Sequence, residues 1–540
     1  MKRSASLLAM LLLLSVSVVS FLQIEMVKAE DKIYIREDGT VEGTDKIEQT
    51  GNLYSFTGNI SGTVFVERDN ITIDGAGYTL SANSGYGIDL HYRHGVTVRN
   101  LVLKDTHCGF DLTYADDNTI VGNTIINSER AVYFWWSWRN NITGNMISAA
   151  SYVFYFFESP NYGCQENVIT GNTVTDSLVG LSLMESDNNT FSDNIISTSA
   201  IGVSLRGSQN LFRNNTINCT GIALKVSSFD NDIDASNLVN GKPIIHWTGH
   251  RDETVPSDAG YVVLSNCENI NVQNLHASGV SISSTTNSLI AGNILSGGQF
   301  GIQMVESSNN TITGNSLVCN EFGLELVNCD YNEIVANNIS SNSYYGLLLT
   351  NSHYNTLKQN NVANNGFGKG ENDYPLPYES YSGDIFGVKL LHSCNNHFAE
   401  NNVTENNQWG IRILGDQHDN IIYHNNFIDN GPGDRIQVSM LPPAADSPVA
   451  NPSTWDNGTS GNYWSDYLTR YSNASEIGNT GIGDTPFYIN ENNIDHYPLM
   501  EPHIISEFPS WTILPLILTV TIVLIVTIAV AIYKRRPTKN

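Results

Sequence analysis

The chain reads as an all-β protein, a parallel β-helix of about 22 residues per coil followed by one C-terminal transmembrane helix. Three observations predict this. A glycine-anchored apolar pattern recurs at a fixed interval, an asparagine pattern runs in phase with it, and residues 511–533 are almost uninterruptedly apolar.

The first pattern, Gly-apolar-x-apolar, starts at Gly87, Gly109, Ala131, Val153, Gly180, Gly202, Gly221, Gly279, Gly301, Gly323, Gly346, Gly387 and Gly410, most often 22 residues apart. A period of that size marks a solenoid. Its apolar places, as in Ile88/Leu90, Phe110/Leu112, Leu181/Leu183 and Ile411/Ile413, alternate as a half-buried strand does. The second pattern is Asn-x-apolar-x-x-Asn, as from Asn118 to Asn123, Asn140 to Asn145, Asn310 to Asn315 and Asn420 to Asn425. Punctuation by Asn, Gly and Ser excludes a helical repeat, so each short strand is expected to pair with its equivalent one coil away, about 4.8 Å along the axis. Asn tolerates left-handed turns and bonds nearby backbone, and stacked Asn amides form ladders, which accounts for 65 Asn in the chain.

Residues 1–29 read as a secretory signal: Lys2 and Arg3, an apolar run from Leu7 to Leu22, then Val27-Lys28-Ala29. The apolar run of residues 511–533 is long enough to span a hydrocarbon core of roughly 30 Å. Trp511 and Tyr533 flank it, and the basic tail of residues 534–540 places that end in the cytoplasm and the body outside. Between the ends the expected order is a β-helix over residues 30–430, with a hairpin insertion at about 238–262 and a loop insertion at about 366–386, then a cap over 431–503. Eleven Asn-x-Ser/Thr sequons agree with an exported chain. A net charge of −27 argues against nucleic acid as a partner, because that needs a clustered basic surface.

At this point the residues resemble a family. Asn309-Asn310-Thr311-Ile312-Thr313-Gly314-Asn315, repeated with Gly-Ile-x-Leu, is similar to the NosD-type right-handed parallel β-helix, the carbohydrate-binding and sugar-hydrolase repeat of the pectin-lyase-like fold. Asn240-Gly241-Lys242-Pro243-Ile244, Gly461-Asn462-Tyr463-Trp464 and Gly481-Ile482-Gly483-Asp484, followed by Asp495-His496-Tyr497-Pro498, resemble archaeal membrane-anchored surface members of that group. The resemblance implies a single right-handed solenoid. For function it points two ways: NosD proper is linked to maturation of a copper site in nitrous oxide reductase, and pectate-lyase-like relatives cleave or isomerise uronic polysaccharides. Fold alone decides neither.

Because coils stack, residues at one offset from the Gly form a surface column. Outward offsets bring Tyr92, Tyr114, Tyr133, Trp135, Trp136, Trp138, Tyr155 and Phe157 onto neighbouring columns, with Asp111 among them. Aromatic rings stack on sugar faces and a carboxylate accepts from sugar hydroxyls, so these nine residues form the candidate glycan-binding face. The competing reading makes the rings a second small core. For catalysis the best constellation is Glu158, Glu185, Arg206 and Lys225, on consecutive coils at adjacent offsets. A hydrolase needs two carboxyl groups about 5 to 10 Å apart, and a lyase needs a cation and a base. A solvated ion-pair patch gives the same pattern.

No cofactor is expected. The eight Met are scattered, no Cys-x-x-Cys or His-x-x-x-His supports copper, and Asn473, Ser475, Glu476 and Asn479 replace the acids a Ca²⁺ run would need. The sequence therefore predicts a membrane-anchored, extracellular β-helix that binds carbohydrate or cell-envelope components or serves a structural role. A polysaccharide lyase or glycoside hydrolase is the first alternative and a NosD-like copper maturation factor the second.

Overall fold

The computed structural model describes residues 32–83, 85–157, 163–367, 385–415, 418–431, 437–441 and 452–505. The signal at 1–29, the apolar run at 511–533, the tail at 534–540, most of the 366–386 loop and Glu158 lie outside the described residues. Among the described residues no helix is long and apolar enough to cross a membrane.

The chain winds into a right-handed parallel β-solenoid of about 16 turns. Equivalent residues pair coil on coil, as Ile120 with Ile142, Ile142 with Ile169, Ile169 with Phe191, and Phe191 with Phe212. Strand Val102–Thr113 pairs with Thr124–Trp135 over both of its halves, so the asparagine half-coil and the glycine half-coil run together there. The inward residues Leu103, Phe110, Leu112, Ile125, Val132 and Phe134 are fully buried. Register is fixed because a slip of one residue would turn this whole set outward.

The ladders form as expected. Asn140 donates from Nδ2 to Asn167 Oδ1 at 3.1 Å and to the Ala115 carbonyl at 2.7 Å, while its own Oδ1 accepts from the Asn118 backbone N–H at 2.9 Å. The same arrangement continues through Asn167, Asn189 and Asn210 to Asn231. Each amide thus satisfies buried backbone groups at a corner where the strand ladder is interrupted. The glycine column has a different cause. A Cβ on Gly323 would run into the carbonyl oxygen of Gly346 in the next coil, and Gly346 and Gly387 meet the same obstacle one coil further on.

The solenoid breaks within the stretch, about 238–262, where the sequence interrupts its repeat with an expected hairpin insertion. Leu238–Val239 turns through Asn240 (φ 48°) and Gly241 (φ 81°) and pairs antiparallel with Lys242 and Pro243. The same strand, Lys242–Thr248, then pairs parallel with Tyr261–Ser265 and starts a second stack of coils. Alternate residues of this strand pair feed two separate cores: Ile244, Tyr261 and Val263 belong to the first, Ile245, Val262 and Leu264 to the second. The outer face of the second stack's first strands therefore closes the end of the first stack.

At the C-terminal end Tyr463–Trp464 adds one strand beyond Asn426–Ile428, and Trp464 stacks on Phe427 at 4.6 Å and on Phe487 at 4.3 Å. Asn462 terminates the ladder, accepting from Asn425 Nδ2 at 3.0 Å. Gly461-Asn462-Tyr463-Trp464 and Asp495-His496-Tyr497 are thus one device that covers the last coil.

Candidate functional site

The outward column of the first stack runs Asp89, Asp111, Tyr133, Tyr155, Ser182, Ser204, Lys225, each paired with its neighbour in the sheet. Beside it lies a continuous ring assembly. Tyr92 stacks on Tyr114 at 4.9 Å, Tyr114 meets Trp135 at 5.9 Å and Trp136 at 5.2 Å, and Trp135 meets Phe157 at 5.9 Å. Tyr133 and Tyr155 stack at 5.8 Å, and Phe157 joins the two sets.

Tyr92, Tyr114 and Trp136 occupy the same corner of three successive coils with φ of 58°, 51° and 54°. Left-handed backbone disfavours bulky side chains, and other corners of this solenoid hold many Asn, Asp and Gly residues. Three aromatic residues in a row at that corner are held there by the coils on either side. Tyr92 is 55% exposed, and Tyr114, Trp135 and Trp136 are half-buried. The rings pack against one another, yet the assembly keeps an open edge.

Asp111 lies under this edge, 7% exposed, and accepts from the Thr113 hydroxyl at 2.5 Å. Burial pushes its carboxyl above the usual carboxylate range; Thr113 opposes this and the neighbouring Asp89 adds to it. Tyr155 is buried, roofed by Phe157 and by the Arg130 guanidinium, which sits 5.1 Å from the Tyr133 ring centre and 5.5 Å from that of Tyr155. Arg130 carries no signal in the repeat, because it stands one place before the motif's first residue, Ala131. Its pairing with Cys108 and Tyr152 brings it to the same face.

Other sequence candidates do not join the site. Trp138 lies around the corner: its indole N–H donates to the Gly163 carbonyl at 3.2 Å and its backbone bridges to Gln165. Glu185 occupies an exposed corner at φ 45°. Lys225, expected at the surface beside Arg206, is instead 7% exposed with Nζ 3.2 Å from Glu321 Oε2 of the second stack. That contact exists only because the two stacks meet, and it gives Lys225 a structural partner in place of a catalytic one. Glu158, the fourth residue of that constellation, lies outside the described residues.

Comparison with known proteins adds a family. Residues 257–428 match the family described as right handed beta helix region, and residues 17–163 and 155–255 match periplasmic copper-binding protein (NosD). No curated protein matches the chain. Among solved structures, a double mutant of the periplasmic alginate epimerase AlgG is 13% identical, with 77% of this chain and 73% of that chain covered and a TM-score of 0.21. The A-module of Azotobacter vinelandii mannuronan C-5 epimerase AlgE4 is 13% identical over 72% and 91%, with a TM-score of 0.20. A double mutant of the tailspike protein of E. coli bacteriophage HK620 is 9% identical over 64% and 72%, with a TM-score of 0.27. Likeness at these scores carries no argument about the site.

Copper, named in the family's description, was tested against the donors present. Among the described residues no group of three or more His, Cys, Asp or Glu side chains is placed to hold a metal ion. Burial pushes the Cys164 and Cys329 thiols up to about 12, the opposite of what a thiolate ligand needs. The donors among the described residues do not fit a copper centre. Taken together, coil geometry, ladders and the two adjoining family matches show that the chain belongs to the NosD-type right-handed parallel β-helix proteins.

Proposed function

We propose that this protein is an exported, membrane-anchored β-helix whose first stack binds carbohydrate on the face formed by Tyr92, Tyr114, Trp135, Trp136 and Phe157. The observation that carries this reading is the run of three aromatic side chains in left-handed corners with an open edge, directly beside Asp89 and Asp111. The rings offer flat apolar surface to a sugar face, and the half-buried Asp89 accepts its hydroxyl groups. The signal-like N-terminal sequence and the apolar run at 511–533 support placement of the body outside the cell, with the cell envelope as the source of ligand.

The test is retention of the full chain on a panel of neutral and acidic glycans. Trp135→Ala with Trp136→Ala is expected to weaken binding at least tenfold, about 1.4 kcal/mol, with the fold intact by circular dichroism. Glycan binding unaffected by that pair would overturn the reading. New reducing or unsaturated ends in the same incubations would replace it with a lyase or hydrolase.

A further inference from the structure

The final described segment is strapped back onto the last coils. Leu499 N–H donates to the Asn462 carbonyl at 2.9 Å, and His503 is held by a reciprocal pair: its N–H donates to Asn426 Oδ1 at 2.7 Å and its carbonyl accepts from Asn426 Nδ2 at 2.9 Å. Asn426 is buried and itself anchored to Asn402 at 2.7 Å. The His503 ring lies flat on His424, with centroids 4.3 Å apart and planes 12° from parallel. Beyond this contact the strap ends: Ile504 is 91% exposed.

We propose that His424 and His503 form an acid-released latch, holding residues 500–505 on the coils while both imidazoles are neutral and freeing them when both take a proton. Neutral rings stack favourably at this distance, whereas two imidazolium ions so close repel.

The surrounding charges do not cancel that repulsion. Glu400 faces the pair, but its carboxylate is engaged by Lys358 Nζ at 3.1 Å and Gln359 Nε2 at 2.9 Å. Tyr423 lies edge-on to His424 at 4.9 Å and stacks on His397 at 5.4 Å. His397 is a third imidazole near the pair, its Nε2 buried without a hydrogen-bond partner among the described residues. Glu501, on the strap itself, is exposed. Burial holds His424 below its ordinary value, and the charge of His503 lowers it further, with Lys358 in the same direction and Glu400 opposed. His424 therefore takes up a proton more readily once the strap is released. Latching is complete above about pH 6.5 and is lost as the pH falls below it. This inference is independent of the glycan face, which lies on the first stack.

Hydrogen exchange on the full chain tests it, with protection factors used so that the intrinsic pH dependence of exchange is removed. Protection of the peptide covering residues 499–505 is expected to fall at least about tenfold between pH 8 and pH 5, while residues 311–317 keep theirs. In His424→Gln and, separately, His503→Gln, the fall shrinks to less than about threefold, because one cation has no partner to repel. Asn426→Ala lowers protection at both pH values. An unchanged wild-type strap at pH 5, or an undiminished fall in both histidine variants, overturns the latch.

Discussion

Trp464 donates its indole N–H to Asp495 Oδ2 at 2.9 Å, and the Asn462 backbone N–H reaches the same oxygen at 2.8 Å. This buried carboxyl joins the last ladder residue to the ring that covers the solenoid's end. Burial raises Asp495 to about 6 despite these donors. The folded state therefore holds the proton more tightly than the unfolded one, and Asp495 favours folding most below about pH 4. Stability from this group is lost as pH rises from about 4 to about 6, a swing of about 3 kcal/mol.

Asp495→Asn should remove that swing. The difference in urea midpoint between wild type and variant is expected to shift in favour of wild type as the pH is lowered from 7 to 4. A difference independent of pH would sink the assignment.

The Lys225–Glu321 ion pair crosses the junction between the stacks, with side-chain exposures of 8% and 23%. Glu321→Gln leaves Lys225 buried beside a neutral group and is expected to cost about 3 kcal/mol, while Lys225→Met with Glu321→Gln costs less than the two single changes together. Additive effects in a double-mutant cycle would show that the pair does not couple the stacks.

Asn337 lies in the middle of its ladder, accepting from Asn315 N–H at 3.0 Å and donating to the Ile312 carbonyl at 2.8 Å. Asn337→Ala strands both buried groups and is expected to cost about 3 to 5 kcal/mol. Since coils contact mainly their neighbours, exchange protection should drop around residues 311–360 and hold in the first stack. Uniform loss along the chain would contradict this.

Gly323→Ala forces a methyl group against the Gly346 carbonyl and the Ile339 side chain. A loss of about 1 to 3 kcal/mol is expected from overpacking, read as a lower thermal midpoint. An unchanged midpoint would mean that the coil spacing gives way freely.

Much of the molecule was legible in its sequence because a solenoid repeats one local solution. The offsets from Gly87, Gly109, Ala131 and Val153 put Asp89, Asp111, Tyr133 and Tyr155 in one outward column in its true register, and the Asn118 and Asn123 positions mark the ladders. Pattern carries this information because each strand pairs with its equivalent at nearly constant sequence distance.

The tertiary structure alone decided what depends on contacts without a period. Lys225 and Glu321 are 96 positions apart and meet only because the turn at Asn240-Gly241 ends one stack and starts another. Arg130 reaches Tyr133 and Tyr155 from outside the compared offsets, and Trp138 leaves the ring assembly by bonding to Gly163. His424 and His503 come together through the returning C-terminal strap, which no repeat encodes. Periodic backbone pairing is written locally, whereas the meeting of side chains from unrelated coils is fixed by where the solenoid breaks and how its end is covered.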